Sequence, residues 1–155
     1  MIEIFQAETA EQIEDVRAIF REYEAWLGLD LCFQGFEDEL LNLPGRYARP
    51  NGRLFLASVD EKLAGCIALR KLEEDICEMK RLYLHEEFRG IGLGNTLIEK
   101  LIVDARVIGY SKMLLDTYPP KMRKAVKLYE SHGFSAIPPY YDNPHEGVLF
   151  MQLNL

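Results

Sequence analysis

Apolar residues along this 155-residue chain change their period several times, and each change marks an element. "IEIF" at 2–5 alternates and reads as a short strand. "TAEQ" follows as a capping box, with Thr9 as N-cap and Gln12 reaching back. Ile13, Val16, Ile19, Phe20, Tyr23, Trp26 and Leu27 then recur at helical spacing, which predicts a first helix ending at Gly28. A shorter helix is expected over "FEDELLNL", stopped by Pro44 and Gly45, with "RYARPNG" as loop. Three strand-like runs come next: "RLFLASV", "KLAGCIALRKL" and "DICEMKRLYL". Their connections, at 60–62 and 73–75, are short and polar, as in an antiparallel meander. "NTLIEKLIVDARVI" carries Leu97, Ile98, Leu101, Ile102, Ala105 and Ile108 on one helical stripe, with Gly109 as its stop. "KMLLDT" is a strand. "KMRKAVKLYESH" is a helix with Ala125, Leu128, Tyr129 and His132 on one side. "FSAI", a loop "PPYYDNPHE" and a strand "GVLFMQLNL" complete the pattern. A meander followed by alternating strand and helix predicts an α/β chain: a mixed, mostly antiparallel sheet with helices on both faces, in a single domain over 1–155.

Two irregularities stand out. In "ICEMKRLYL" the apolar positions are odd at Cys77 and Met79 but even at Leu82 and Leu84, and such a slip within one strand predicts a bulge. The bulge would splay this strand from "KMLLDT" and free its backbone groups. Directly afterwards comes "RGIGLG", from Arg89 to Gly94, between strand and helix. A helix start offers free N–H groups and partial positive charge, and glycines let the backbone close around an anion such as a diphosphate. The dinucleotide fingerprint G-x-G-x-x-G fails because Asn95 stands where its last glycine belongs, and no Gly-Lys-Ser/Thr ends a Walker loop. What remains is R-x-x-G-x-G, as Arg89, Gly92 and Gly94. Taken alone, the turn also fits a tight corner that binds nothing.

Charge and composition narrow the partners. A net charge of −7 argues against nucleic acid and mildly favours a neutral or cationic partner, although solubility alone also explains it. Three cysteines, Cys32, Cys66 and Cys77, fit no metal spacing; buried reduced thiols point to the cytoplasm. "MIEIFQAET" lacks the basic start and apolar core of a signal peptide, and no apolar run is long enough for a membrane span.

"LYLHEEFRGIGLGNTLIEKLI" resembles the acyl-CoA-binding motif of the GCN5-related N-acetyltransferases, and "AVKLYESHGF" is similar to that family's second signature. The order of elements agrees over nearly the whole chain. The resemblance implies acetyl-CoA as co-substrate, without a metal. It implies that Arg89, Gly90, Ile91, Gly92, Leu93, Gly94 and Asn95 bind the CoA diphosphate, and that Leu82, Tyr83 and Leu84 bond the pantetheine arm as a neighbouring strand would. One departure is Met122, which stands where the family often has a CoA-contacting asparagine.

Acetyl transfer to an amine needs a base, an oxyanion donor and a proton for the leaving thiolate. Tyr129 matches the family's general-acid tyrosine; its helical face also suits a core residue. A backbone N–H near Tyr83 suits the oxyanion. Glu78, set between Cys77 and Met79, is the candidate base with a raised pKa, or else a solvated residue on an open sheet face; Asp116 is the second choice. Tyr140 and Tyr141 would wall an acceptor site, with His145 or Glu146 entering it, or form an ordinary connection. Lys121, Arg123 and Lys124 meet the adenosine 3′-phosphate or are solvated. His85 and His132 read as surface or helix-end residues. Cys66 and Cys77 look structural, which leaves direct attack in a ternary complex. The expected activity is N-acetyl transfer from acetyl-CoA to a primary amine, on a small molecule, a protein N-terminus or a lysine. The rival is a non-catalytic acyl-CoA sensor of the same fold. The last strand, Val148 to Leu153, is apolar enough to serve a homodimer as well as a core.

Overall fold

A computed structural model describes residues 1–32 and 35–155. Strand β1 (Ile2–Gln6) leads into helix α1 (Ala10–Leu27), and α2 (Phe36–Leu41) follows. The meander is β2 (Arg53–Val59), β3 (Lys62–Glu73) and β4 (Ile76–Leu84). Then come α3 (Leu93–Ile108), β5 (Lys112–Thr117), α4 (Pro119–Ser131), β6 (Ser135–Ile137) and β7 (Leu149–Asn154). The strands form one seven-stranded sheet in the order β1-β2-β3-β4-β5-β7-β6. Every pairing is antiparallel except β4 with β5.

The alternation of strand side chains divides the core in two. Phe55 and Ala57 of β2 join Leu97, Ile98 and Leu101 of α3 on one face. Leu54 and Leu56 join Val16, Ile19 and Phe20 of α1 and Leu40 of α2 on the other. Helices therefore cover both faces, as the pattern predicts. The capping box of α1 is present, with Thr9 accepting from the Gln12 N–H, and Gly28 closes the helix at φ 73°.

Two helices start earlier than their apolar stripes suggest. α3 begins at Leu93, so Gly94 and Asn95 lie in its first turn. α4 begins at Pro119, where a missing N–H costs nothing, and its backbone departs from helical values at Met122 (φ −120°, ψ 37°). The apolar residues Phe150, Met151 and Leu153 of β7 are buried within the chain, between β5 and β6. Among the described residues, no helix is long and apolar enough to cross a membrane.

Candidate active site

The predicted bulge is real and centres on Arg81. Opposite β3, Cys66 pairs with Tyr83 but Ala68 pairs with Lys80, so β4 holds an extra residue there. Arg81 takes it up at φ 63°, a left-handed value that a side-chain-bearing residue adopts only when its surroundings hold it. Its guanidinium is buried and forked onto Glu39 of α2, Nε and Nη2 each donating at 3.0 Å, with the Phe36 ring 5.2 Å away. The slip in parity follows: Cys77, Met79 and Leu82 all pack on the α3 face, whereas Tyr83 packs with α1.

Beyond the bulge β4 leaves its neighbour. β4 and β5 pair only at Ile76↔Lys112, Cys77↔Met113 and Glu78↔Leu114, then diverge. The glycine turn lies at the end of the diverging strand. Gly90 (φ +83°) and Gly92 (φ +84°) need the left-handed region, and a Cβ at either would point into open space. Gly92 is the N-cap of α3 and no side chain caps the helix, so the N–H groups of Leu93, Gly94 and Asn95 face outward. Backbone donors at a 16-residue helix N-terminus, beside a strand end whose β5 side is unpaired, fit a diphosphate attached to an amide-bearing arm. Among the described residues no cluster of His, Cys, Asp and Glu gathers that would hold a metal.

Individual residues of this stretch contribute differently. The Leu93 side chain is buried in the core and Ile91 is exposed, so both offer backbone alone. Within the chain a Cβ at Gly94 would meet Leu128 at 3.5 Å, an ordinary contact. The Asn95 side chain is engaged by Glu99 (3.1 Å) and His132 (2.7 Å). Arg89, expected to bind the diphosphate, donates from Nε to the Leu84 carbonyl at 3.0 Å, and its guanidinium stacks over Trp26 (4.9 Å) and Tyr83 (5.4 Å). Lys121, at the start of α4, also lies over Trp26, at 5.4 Å.

Where β4 and β5 part, a cavity of about 50 Å³ opens, lined by Lys80, Leu82, Asp116, Met122, Tyr129 and His145 among others. Tyr129 is 4% exposed, and its hydroxyl makes no hydrogen bond among the described residues. Burial, aided by Tyr23 and Asp116, pushes its pKa far up, so it stays a neutral donor. Asp116 Oδ2 accepts from the Tyr141 hydroxyl, which in turn accepts from Asn143 Nδ2 at 2.9 Å.

Glu78 differs from expectation in two ways. It is neither solvated nor a carboxylate of raised pKa: it is 1% exposed, with Arg70, Lys80 and Tyr140 of the late loop around its carboxylate. Burial alone pushes its pKa up, but the charges of Lys80 and Arg70 and the Tyr140 hydroxyl outweigh that and hold it below the usual range. Oε1 accepts from Arg70 Nε at 2.7 Å with Lys80 Nζ at 4.0 Å; Oε2 accepts from Tyr140 at 2.5 Å. Tyr140 is thus a clamp on Glu78, and Tyr141 a clamp on Asp116. His85 pairs with Glu22 and His132 sits at the end of α4, as anticipated. Burial raises the pKa of the Cys66 thiol and takes that of Cys77 to about 12, so both stay inert thiols.

Lys80, Arg81 and Trp26 escaped the sequence reading as site residues. Lys80 alternates with apolar neighbours, a pattern that ordinarily marks a solvent face. Its one discriminating signal is the amphipathic α2 sequence, which needs a sheet face to cover.

Comparison with known proteins agrees with this geometry. Residues 13–134 match the model of the acetyltransferase (GNAT) family. An uncharacterized N-acetyltransferase of Schizosaccharomyces pombe is 37% identical, over 99% of this chain and 95% of its own length. One from Dictyostelium discoideum is 33% identical, over 96% and 97%. The fold is shared with the PaiA N-acetyltransferase of Thermoplasma acidophilum, solved in complex with coenzyme A: TM-score 0.74 at 19% identity, covering 100% of this chain and 99% of that one. With the diverging strands, the open helix terminus and a matched family model together, the chain belongs to the GNAT family and is an acetyl-CoA-dependent N-acetyltransferase.

Proposed function

We propose that this chain transfers the acetyl group of acetyl-CoA to a primary amine by direct attack in a ternary complex held between β4 and β5. The observation that carries this reading is the junction of an uncapped α3 N-terminus with a strand that has left its partner. The N–H groups of Leu93, Gly94 and Asn95 hold the diphosphate, with Gly90 and Gly92 shaping the turn and Arg89 swinging from Trp26 to reach it. The backbone of Leu82, Tyr83 and Leu84 holds the pantetheine arm, and an N–H beside the bulge receives the developing oxyanion.

An amine of pKa ~10.4 is mostly protonated at neutral pH, so a proton must leave before attack. Asp116 faces the cavity and Glu78 does not, so Asp116 takes that proton, directly or through water. Glu78 serves by positioning Lys80 and Tyr140. The nitrogen lone pair then forms the N–C bond, the C–S bond breaks, and Tyr129 supplies the proton the sulfur needs. The second amine proton returns through water to the tyrosine. The inert thiols of Cys66 and Cys77 support a reducing, cytoplasmic setting. A homodimer would use surfaces other than the buried residues of β7.

Thermal denaturation with acetyl-CoA, CoA, ATP and NAD in parallel tests the reading. Saturable stabilisation by the first two alone is expected, by ~2.7 kcal/mol at a hundred times Kd. A larger shift with ATP or NAD would remove it. Binding without turnover of any amine would leave a sensor.

A further inference from the structure

The extra residue of β4 sets one peptide unit, that between Arg81 and Leu82, out of the ordinary ladder. Arg81 holds its positive φ within a strand. The other side-chain-bearing residues of positive φ, Asp60 and Glu61, sit in the tight turn between β2 and β3. Such a conformation persists inside a strand only where its surroundings over-determine it. Two side chains do so here, from opposite ends of the residue. Glu39 of α2 holds the guanidinium in its fork, both contacts at 3.0 Å. Cys66 of β3 holds the main chain: its thiol donates to the Arg81 carbonyl oxygen at 3.1 Å. The thiol is fully buried, and burial keeps its proton on, so the donor is always present. In a trans peptide the C=O and the following N–H point in opposite directions, and this peptide is trans. With its carbonyl drawn toward Cys66, the unit turns the Leu82 N–H away from β3, to the side where β5 has parted from β4. Leu82 lines the cavity there, whereas Cys66 and Glu39 are not among the described residues lining it.

We propose that the Leu82 N–H is the donor that receives the oxyanion, and that Cys66 and Glu39 are positioning residues that aim it. This rests on the acyltransferase reading and deepens it. As the amine nitrogen bonds the acyl carbon, the carbonyl π pair moves onto oxygen, and the N–H meets that charge. The pair returns when the C–S bond breaks and the sulfur takes its proton from Tyr129. A donor of this kind helps in proportion to how well it is set beforehand for the tetrahedral oxygen. A bulge held by its ladder alone is free to tilt; one fastened at both its guanidinium and its carbonyl is not. Both fasteners act on the rate through the peptide unit, without contact with cofactor or acceptor. α2 thereby becomes part of the catalytic geometry from outside the cavity.

The test reads polarisation and turnover apart from binding. The carbonyl stretch of bound acetyl-CoA, followed by isotope-edited infrared difference spectroscopy, should lie below that of free acetyl-CoA. It should return toward the free value in Cys66→Ala and stay low in Cys66→Ser, which keeps a donor. CoA release is then followed with the best acceptor from a panel of amino acids, polyamines and short peptides. Cys66→Ala should lower kcat ~10-fold, as a reacting group displaced by a fraction of an ångström does, with acetyl-CoA Kd unchanged. Cys66→Ser should recover most of the rate. Glu39→Gln should behave as Cys66→Ala; should it fail to fold, the cysteine pair carries the test, and should no acceptor turn over, the stretch alone decides. A bound carbonyl that vibrates as in free acetyl-CoA would overturn the proposal. So would a Cys66→Ala protein equal to the unaltered one, or a loss of kcat matched by an equal loss of acetyl-CoA affinity. Absence of CoA binding in the unaltered protein would instead remove the acyltransferase reading itself.

Discussion

Tyr129 stands where the α1 side and the α3–α4 side of the sheet meet, with its ring against Phe134 and its hydroxyl toward the cavity. That hydroxyl has no structural partner among the described residues, so its removal separates chemistry from packing. Tyr129→Phe should leave the melting temperature and CoA affinity unchanged while kcat falls ~10²-fold; an unchanged kcat would make the ring a core residue only. Glu78 is the reverse case, a charge whose first task is structural. Its folded pKa lies below the unfolded value of 4.5, so the stability it contributes is present above that value and lost as pH falls through the folded pKa. Glu78→Gln, which removes the buried carboxylate facing Arg70 and Lys80, should cost ~3–5 kcal/mol at pH 7. It should also flatten the loss of stability on the acid side, as read by urea unfolding from pH 7 to pH 3. Equal acid slopes in the two proteins would mean that Glu78 titrates normally. Its type and position were legible in the strand pattern, but its burial was not, because it lies against Tyr140 of a loop more than sixty residues downstream.

At the scale of elements, β4 was the most legible part of the site. The change from Cys77 and Met79 to Leu82 and Leu84 reports the bulge directly, since side-chain period is fixed by the pleat. What the pattern lacked was the residue that absorbs it, because nothing local marks Arg81 for positive φ; Glu39, far away in sequence, holds it there. The start of α4 was legible in principle, from Pro119 and Pro120, yet its apolar stripe begins later. Close packing around the bulge gives a contrast between two glycines. An alanine Cβ at Gly65 would come 2.7 Å from the Tyr83 carbonyl oxygen and 2.6 Å from Leu84 Cδ2. Gly65→Ala should therefore cost ~1–3 kcal/mol and weaken CoA binding by shifting the strand end. Gly94→Ala, which meets only ordinary contacts within the chain, should be tolerated in denaturant titration.

On the scale of the whole molecule, Trp26 of α1 joins three separate parts of the chain, since Arg89 of the glycine turn and Lys121 of α4 both lie over its ring. It is the single tryptophan of the sequence, so its fluorescence reports one place. CoA should draw Arg89 from the indole and change the emission saturably, with the same midpoint as thermal stabilisation; Arg89→Leu should reduce the change. Binding without any change in emission would show that Arg89 stays on Trp26. The bulge has a further consequence at this scale. β4 is read in two frames, one up to Met79 and the other from Leu82. A residue added or removed between them would act as a frameshift in address: Leu82 would be delivered to the aromatic layer of α1, and Tyr83 to the aliphatic layer of α3. Substitution alters what a position carries, whereas a change of count alters where everything downstream arrives. Chains that share this site can therefore drift in identity along β4 far more freely than in the number of residues between those two points.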